Sequence, residues 1–234
     1  MFRRSATSSE DIPLLAERIR IMREVGSILC NVRGSLLYHH LRTDVTYLQD
    51  FNGSFANLVS TTPGSALDLV KMVVKTFPSF RDQHIYEGRT VCIWKRAQIL
   101  VAETWAAFYP ASPSERHPLF PSAEIHQLTM FADYRLPQIL HHLSILSYPP
   151  SLLSLLENQV HLPSGSREEL SLRSASIVGV NMLREKIIQL YEEDVSSVVL
   201  DFFLWDLAKR VEEGSETVAS KQLVPIHRTR SIWY

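Results

Sequence analysis

Three aspartates in apolar surroundings are the residues of this sequence best suited to chemistry. Asp133 lies among aromatic and apolar residues, four positions before Pro137, and Asp201 and Asp206 lie in an apolar run near the C-terminus. An ionised carboxylate in an apolar setting can stabilise a transition state that develops positive charge. Burying an unpaired carboxylate is costly, so a sequence seldom does it without a partner. These aspartates are therefore the candidate site residues.

Asp133 is expected just outside a helix N-terminus. Pro137 suits the first turn of a helix, which predicts a helix that begins near Leu136 and continues through His141 and His142. The partial positive charge of the helix end then favours an ionised carboxylate. The alternative is that Asp133 only caps the helix, which is the more common role for a lone aspartate at such a position.

Asp201 and Asp206 lie in a predicted final helix over residues 197–212. This helix is apolar nearly all round, which predicts deep burial. Asp201 and Trp205 are four residues apart and share a face, whereas Asp206 projects roughly 140° from Asp201. The two acids therefore line different parts of one pocket or serve different partners. The alternative is that they pair in the core with arginines such as Arg173, Arg228 or Arg230.

The elements that must position these aspartates are mostly helices. Apolar residues at three- and four-residue steps predict helices over 11–30, 65–77 and 94–108, with shorter ones before residue 60 and over 151–158. Ser166 and Glu169 have the spacing of a capping box and open another long helix. A brief extended pair or tight turn around Gly88 is the one extended signal. The predicted fold class is mainly α, with at most a short extended hairpin.

Composition narrows the possible partners. The 234 residues are 45% hydrophobic, which fits one large domain or two small ones with a sizeable core. Lysine and arginine total 24 against 25 acids, so the formal net charge is -1. Such a chain has no bulk attraction to nucleic acid or to an anionic membrane, and a small-molecule partner fits better.

Metal sites and membrane segments are not predicted. Cys30 and Cys92 show no metal-ligand spacing, and His141 and His142 cannot share a helix face. We therefore expect no metal and no cofactor. No apolar run approaches the roughly 20 residues that span a bilayer, so a cytoplasmic location is favoured.

Several segments resemble the queuosine salvage proteins, which are queuosine 5′-phosphate N-glycosylases. The segment 128–140 reads Leu-Thr-Met-Phe-Ala-Asp-Tyr-Arg-Leu-Pro-Gln-Ile-Leu, and the others are 77–82, 95–105, 200–206 and 227–230. The resemblance covers about 11–234, except for 31–50, which has no counterpart in the family pattern. Residues 1–10 are expected to form a disordered tail.

This resemblance implies a single all-helical domain similar to the helical DNA glycosylases. It also implies hydrolysis of the N-glycosidic bond of queuosine 5′-monophosphate, which releases queuine for salvage into tRNA modification. By position, Asp133 matches the catalytic aspartate and Phe131 a base-contacting residue, while Asp201, Trp205 and Asp206 match the base-recognition helix. A DNA glycosylase is disfavoured by the neutral charge and the lack of a basic helix-hairpin-helix element.

Two departures from the family pattern define the rival hypothesis. The family carries a substantial N-terminal region that has no match here, so the chain is expected to be truncated. The insertion 31–50 is interpreted as translated intron sequence. The rival to an active enzyme is a catalytically inactive truncated fragment, or a helical binding module of the same fold.

Overall fold

The computed structural model describes residues 11–30, 54–60, 64–112, 115–118, 124–218 and 223–234. The expectations of a disordered tail over 1–10 and an insertion over 31–50 lie outside these ranges. The described residues form eight α-helices: α1 (Leu15–Leu29), α2 (Phe55–Ser60), α3 (Ala66–Thr76), α4 (Lys95–Ala107), α5 (Arg135–His142), α6 (Pro150–Glu157), α7 (Arg167–Tyr191) and α8 (Ser197–Glu212). Two short strands, β1 (Gln83–Tyr86) and β2 (Arg89–Cys92), pair in antiparallel register.

The prediction of a mainly α fold with one short hairpin is confirmed for the described part of the chain. Serine side chains cap three of the helices, α3, α7 and α8, at their first turns. In α7 the hydroxyl of Ser166 accepts the N–H of Glu169 at 3.3 Å. The carboxylate of Glu169 returns to the N–H of Gly165 at 2.9 Å, one residue earlier than in a standard capping box.

A segment without regular secondary structure, 128–132, runs between two parts of the hydrophobic core. Helices α3 and α4 form the first part, and Leu128 and Phe131 pack into it. Helices α5, α7 and α8 form the second part, into which Met130 and Ala132 pack. Because these neighbouring side chains are buried on both sides, the backbone that leads into Asp133 is fixed in place.

Helix α8 is buried along one side only, so the prediction of burial all round is wrong. Leu200, Leu204 and Leu207 form the buried stripe, and α8 packs through it against α5 and α7. The opposite side exposes four apolar residues: Val199, Phe202, Phe203 and Trp205. Within the described part of the chain, helix α8 packs against other helices on one side only, so its apolar composition predicted more burial than the structure shows.

No helix in the described ranges is long and apolar enough to cross a membrane.

Candidate active site

Asp133 lies at the N-terminus of α5 and is only 8% exposed. Its Oδ1 accepts the backbone N–H of Arg135 at 2.8 Å and that of Leu136 at 3.0 Å. The position expected from Pro137 is thus observed, and Asp133 does cap the helix. Both donors bind the same oxygen, so capping orients the carboxylate and, among the described residues, leaves Oδ2 for a substrate or a water molecule.

Asp201 is another buried carboxylate, and the structure brings it close enough to Asp133 for their charges to interact. It is 5% exposed, and its Oδ1 accepts the backbone N–H of Phe131 at 2.8 Å. Burial raises the pKa of Asp201 to about 8. The Phe131 N–H opposes this shift, the Asp133 carboxylate adds to it, and the Lys95 ammonium opposes it. Helix α8 and the segment before α5 therefore present two interacting acids together.

Lys95 supplies a cation to this pair of acids. It is the first residue of α4 and is 7% exposed. Burial lowers the pKa of the Lys95 ammonium, and the carboxylate of Asp133 is the strongest opposing influence, with Asp201 also acting in that direction. Lys95, Asp133 and Asp201 are all buried and influence one another electrostatically, and we call these three residues the Lys95 triad.

Sequence reasoning did not place Lys95 in the site, although one signal was available. A helix N-terminus repels cations, so a lysine in the first turn of an apolar helix is unfavourable unless acids surround it. The residue before it, Trp94, has a left-handed backbone with φ 51°. The main-chain oxygen of Asp82 holds this turn by accepting the N–H groups of Ile93 and Trp94 at 3.0 and 3.3 Å.

A buried arginine connects the site to the rest of the core. Arg173 is fully buried and pairs with Asp82 and with Glu169. Its Nε also donates to the carbonyl oxygen of Ala132 at 3.0 Å, directly before Asp133. Arg173 therefore holds the backbone directly before Asp133 in place. It does not pair with Asp201, which the sequence had left open as an alternative.

Aromatic side chains lie beside the two carboxylates. Phe131 is buried, and its ring centroid is 6.0 Å from that of the exposed Phe202. Trp205 is 38% exposed, with the ammonium of Lys209 4.7 Å and the guanidinium of Arg135 5.7 Å from its ring centroid. The exposed Trp205 can stack against a planar ligand, whereas the buried Phe131 can contact one only through a small part of its ring.

Asp206 does not join the two buried acids. Its side chain is 58% exposed and pairs with Arg210, one turn later in α8, at 3.0 Å. The large angular separation from Asp201 on the helix is the physical reason, because the buried stripe of α8 includes only one of the two aspartates. The expected burial is therefore wrong for Asp206.

The described residues contain no group of three or more His, Cys, Asp or Glu side chains that could hold a metal ion.

Comparison with known families shows what the whole chain is similar to. The family model described as queuosine salvage protein matches residues 1–234. The chain belongs to the queuosine salvage protein family. The resemblance carried by segments such as 128–140 is thereby confirmed.

Curated members of the queuosine salvage family include proteins named queuosine 5′-phosphate N-glycosylase/hydrolase. The one from Mus musculus is 37% identical over 229 residues, which are 95% of this chain and 59% of the mouse protein. The one from Sphaerobacter thermophilus is 37% identical over 224 residues, which are 96% of this chain and 59% of that protein. The one from Schizosaccharomyces pombe is 38% identical over 230 residues, which are 96% of this chain and 58% of that protein. This chain thus spans about 59% of the length of the mouse relative.

Proposed function

We propose that this chain hydrolyses the N-glycosidic bond of queuosine 5′-monophosphate and releases queuine. The observation that carries the proposal is the Lys95 triad, in which Asp133 presents one uncapped carboxylate oxygen beside a second buried acid. The names of the curated relatives supply the substrate. No metal or cofactor enters the proposal.

Asp133 is the proposed catalytic carboxylate. Cleavage of the bond between C1′ and the base nitrogen develops positive charge on the ribose, and a carboxylate aimed at C1′ stabilises it. Asp133 can act as this electrostatic partner, as the nucleophile, or as the group that orients the attacking water. In each case the water oxygen ends on C1′, and the base leaves with the bonding electrons and gains a proton.

Asp201, Trp205, Phe131 and Asp206 are the proposed base-binding residues. An ionised Asp201 would bind the secondary ammonium of queuine through a charge-assisted hydrogen bond. Trp205 and Phe131 would contact the deazaguanine ring, Trp205 by stacking and Phe131 along its exposed edge. Asp206 lies farther out, where it would reach the cyclopentene diol only by leaving Arg210.

Lys95 would balance the charge of the two acids. Two ionised carboxylates held together repel each other, and a buried ammonium offsets that repulsion. When the ammonium of queuine enters, the site holds two cations and two carboxylates. The triad can therefore keep Asp133 and Asp201 both ionised in the complex.

The rival function is queuine binding without turnover. Its support is the exposed apolar side of α8, which offers a surface for a planar ligand. The test is incubation of the purified chain with queuosine 5′-monophosphate, with chromatography for free queuine, beside calorimetry with queuine. Release of queuine supports hydrolysis, while calorimetric binding without release supports the rival.

Partners and location follow from the proposed substrate. The substrate is a free nucleotide, so direct contact with tRNA is not required, and a cytoplasmic location is proposed. A fluorescent fusion that accumulated in an organelle would contradict the proposed location.

A further inference from the structure

We propose that Tyr234 is a positioning residue whose ring holds the Lys95 ammonium beside Asp133 and Asp201. The C-terminal segment 227–234 would thereby form part of the site. The catalytic value of this arrangement rests on the proposed function, but the arrangement itself can be measured without turnover.

Tyr234 contacts both buried cations of this region. Its ring centroid lies 5.4 Å from Nζ of Lys95 and 5.1 Å from Cζ of Arg173. Both distances fall within the roughly 6 Å range of cation–π attraction. The ring is thus placed where it attracts the Lys95 ammonium and lies against the guanidinium that supports the site.

Hydrogen bonds fix the orientation of the Tyr234 ring. Burial raises the pKa of the Tyr234 phenol above its usual range, so the hydroxyl keeps its proton and donates it to Oε1 of Glu169 at 2.6 Å. The hydroxyl oxygen of Tyr234 also lies 3.1 Å from Nε2 of His227. Since the single hydroxyl proton is already given to Glu169, the imidazole must be the donor in this second contact.

The protonation state of His227 agrees with that assignment. Burial lowers the pKa of His227 to about 4, and the charges of Arg173 and Lys95 add to the shift. The ring is therefore neutral at pH 7, with its proton on Nε2. His227 holds the hydroxyl of Tyr234 from one side while Glu169 holds it from the other.

These contacts form a closed loop around Lys95. Its backbone N–H donates to Oδ2 of Asp82 at 3.3 Å, Asp82 pairs with Arg173, and Arg173 pairs with Glu169. Glu169 accepts the hydroxyl of Tyr234, whose ring returns to the Lys95 ammonium. One network therefore fixes both the backbone and the side-chain end of the lysine.

A lysine needs such fixing because its side chain is long and flexible. The charged groups that act on the Lys95 ammonium are Asp133, Arg173, Asp201 and Asp82. The aromatic face adds an attraction that favours the charged ammonium. Loss of that face should therefore lower the pKa of Lys95 and loosen its position near the two acids.

The test measures the pKa of Lys95 by NMR on protein with 13C-labelled lysine side chains, with the signal assigned by Lys95→Met. The expected result is a pKa lower by about 0.5 to 1 unit in Tyr234→Leu than in Tyr234→Phe, because only the phenylalanine keeps the ring face. The control Trp233→Leu, which removes the neighbouring ring, should leave the pKa unchanged. Equal values in the leucine and phenylalanine variants would overturn the proposal.

A fluorinated phenylalanine series at position 234 keeps the test decisive if the leucine variant does not fold. Fluorine withdraws charge from the ring face with little change in shape, so the Lys95 pKa should fall stepwise with each added fluorine. A pKa independent of fluorination would reject the proposal.

With queuosine 5′-monophosphate, kcat should fall about 3- to 10-fold across the series and the alkaline limb of its pH profile should move to lower pH. If the unsubstituted chain does not turn over while the pKa still shifts, hydrolysis fails and the positioning role stands.

Discussion

Replacement of Asp201 by asparagine should stabilise the fold at alkaline pH. Asparagine keeps an oxygen that can accept the N–H of Phe131, and it removes a buried ionisable group. In the folded chain the pKa of Asp201 is about 8, against its usual value of 3.8. Between these two values the folded state holds a proton that the unfolded state has released. The contribution of Asp201 to stability therefore becomes less favourable as pH rises from about 4 to about 8.

The size of this effect follows from the shift. Folding raises the pKa of Asp201 by about four, and each pKa unit corresponds to roughly 1.4 kcal/mol. Above pH 8 Asp201 therefore lowers the free energy of unfolding by at most about 6 kcal/mol. Water entry and local relaxation reduce the penalty of a buried charge. We therefore expect Asp201→Asn to gain about 2 to 4 kcal/mol in free energy of unfolding at pH 8.5, and close to nothing at pH 4.

Urea unfolding followed by circular dichroism at both pH values measures this difference. Asp206→Asn is the matched control on the same helix, because Asp206 is exposed and its pair with Arg210 should be worth less than about 1 kcal/mol. Identical pH dependence of stability in the unsubstituted chain and in Asp201→Asn would refute the assignment of a buried, high-pKa acid.

Three further predictions concern Asp133, queuine binding and His227. Asp133→Ala should lose about 1 kcal/mol of stability, because α5 loses its cap, whereas Asp133→Asn keeps the accepting oxygen and should unfold as the unsubstituted chain does; equal losses in thermal unfolding would contradict the capping geometry. Queuine should bind about tenfold more tightly for each pH unit gained between 6 and about 8, because binding requires ionised Asp201; calorimetry that gives a pH-independent affinity would exclude that pairing. Stability should fall by up to about 3 kcal/mol as pH drops from 6.5 to 4, since the unfolded chain protonates His227 before the folded chain does. The His227→Gln variant should lose this acid-dependent slope in urea titrations, and retention of the full slope would show that another group is responsible.

The helices could be predicted from the sequence because the features that start, cap and orient a helix lie within a few residues of each other. Apolar periodicity, serine caps and a proline in the first turn each act within a few residues. The same logic placed Asp133 before α5, where Pro137 marks the start of the helix. The exposed side of α8 was not predictable in this way, because a segment rich in apolar residues on all sides gives no indication of where its neighbours lie.

The ionic part of the site depends on contacts between distant residues. Arg173 meets Asp82 across 91 positions, and Tyr234 meets Glu169 across 65. Contacts over such distances in the sequence cannot be predicted from periodicity or from short motifs. The sequence did not place Lys95 in the site for the same reason, because the acids that justify its burial lie on other elements.

The measurement that tests the central claim most directly is single-turnover release of queuine from queuosine 5′-monophosphate by the purified chain and by Asp133→Asn. Asp68→Asn serves as the control for loss of a carboxylate outside the site, because Asp68 is a half-exposed acid of α3 that pairs with Lys71. We predict queuine release by the unsubstituted chain and by the control. Asp133→Asn should be at least about 100-fold slower while its stability is retained. Release at equal rates with and without the Asp133 carboxylate would contradict the account.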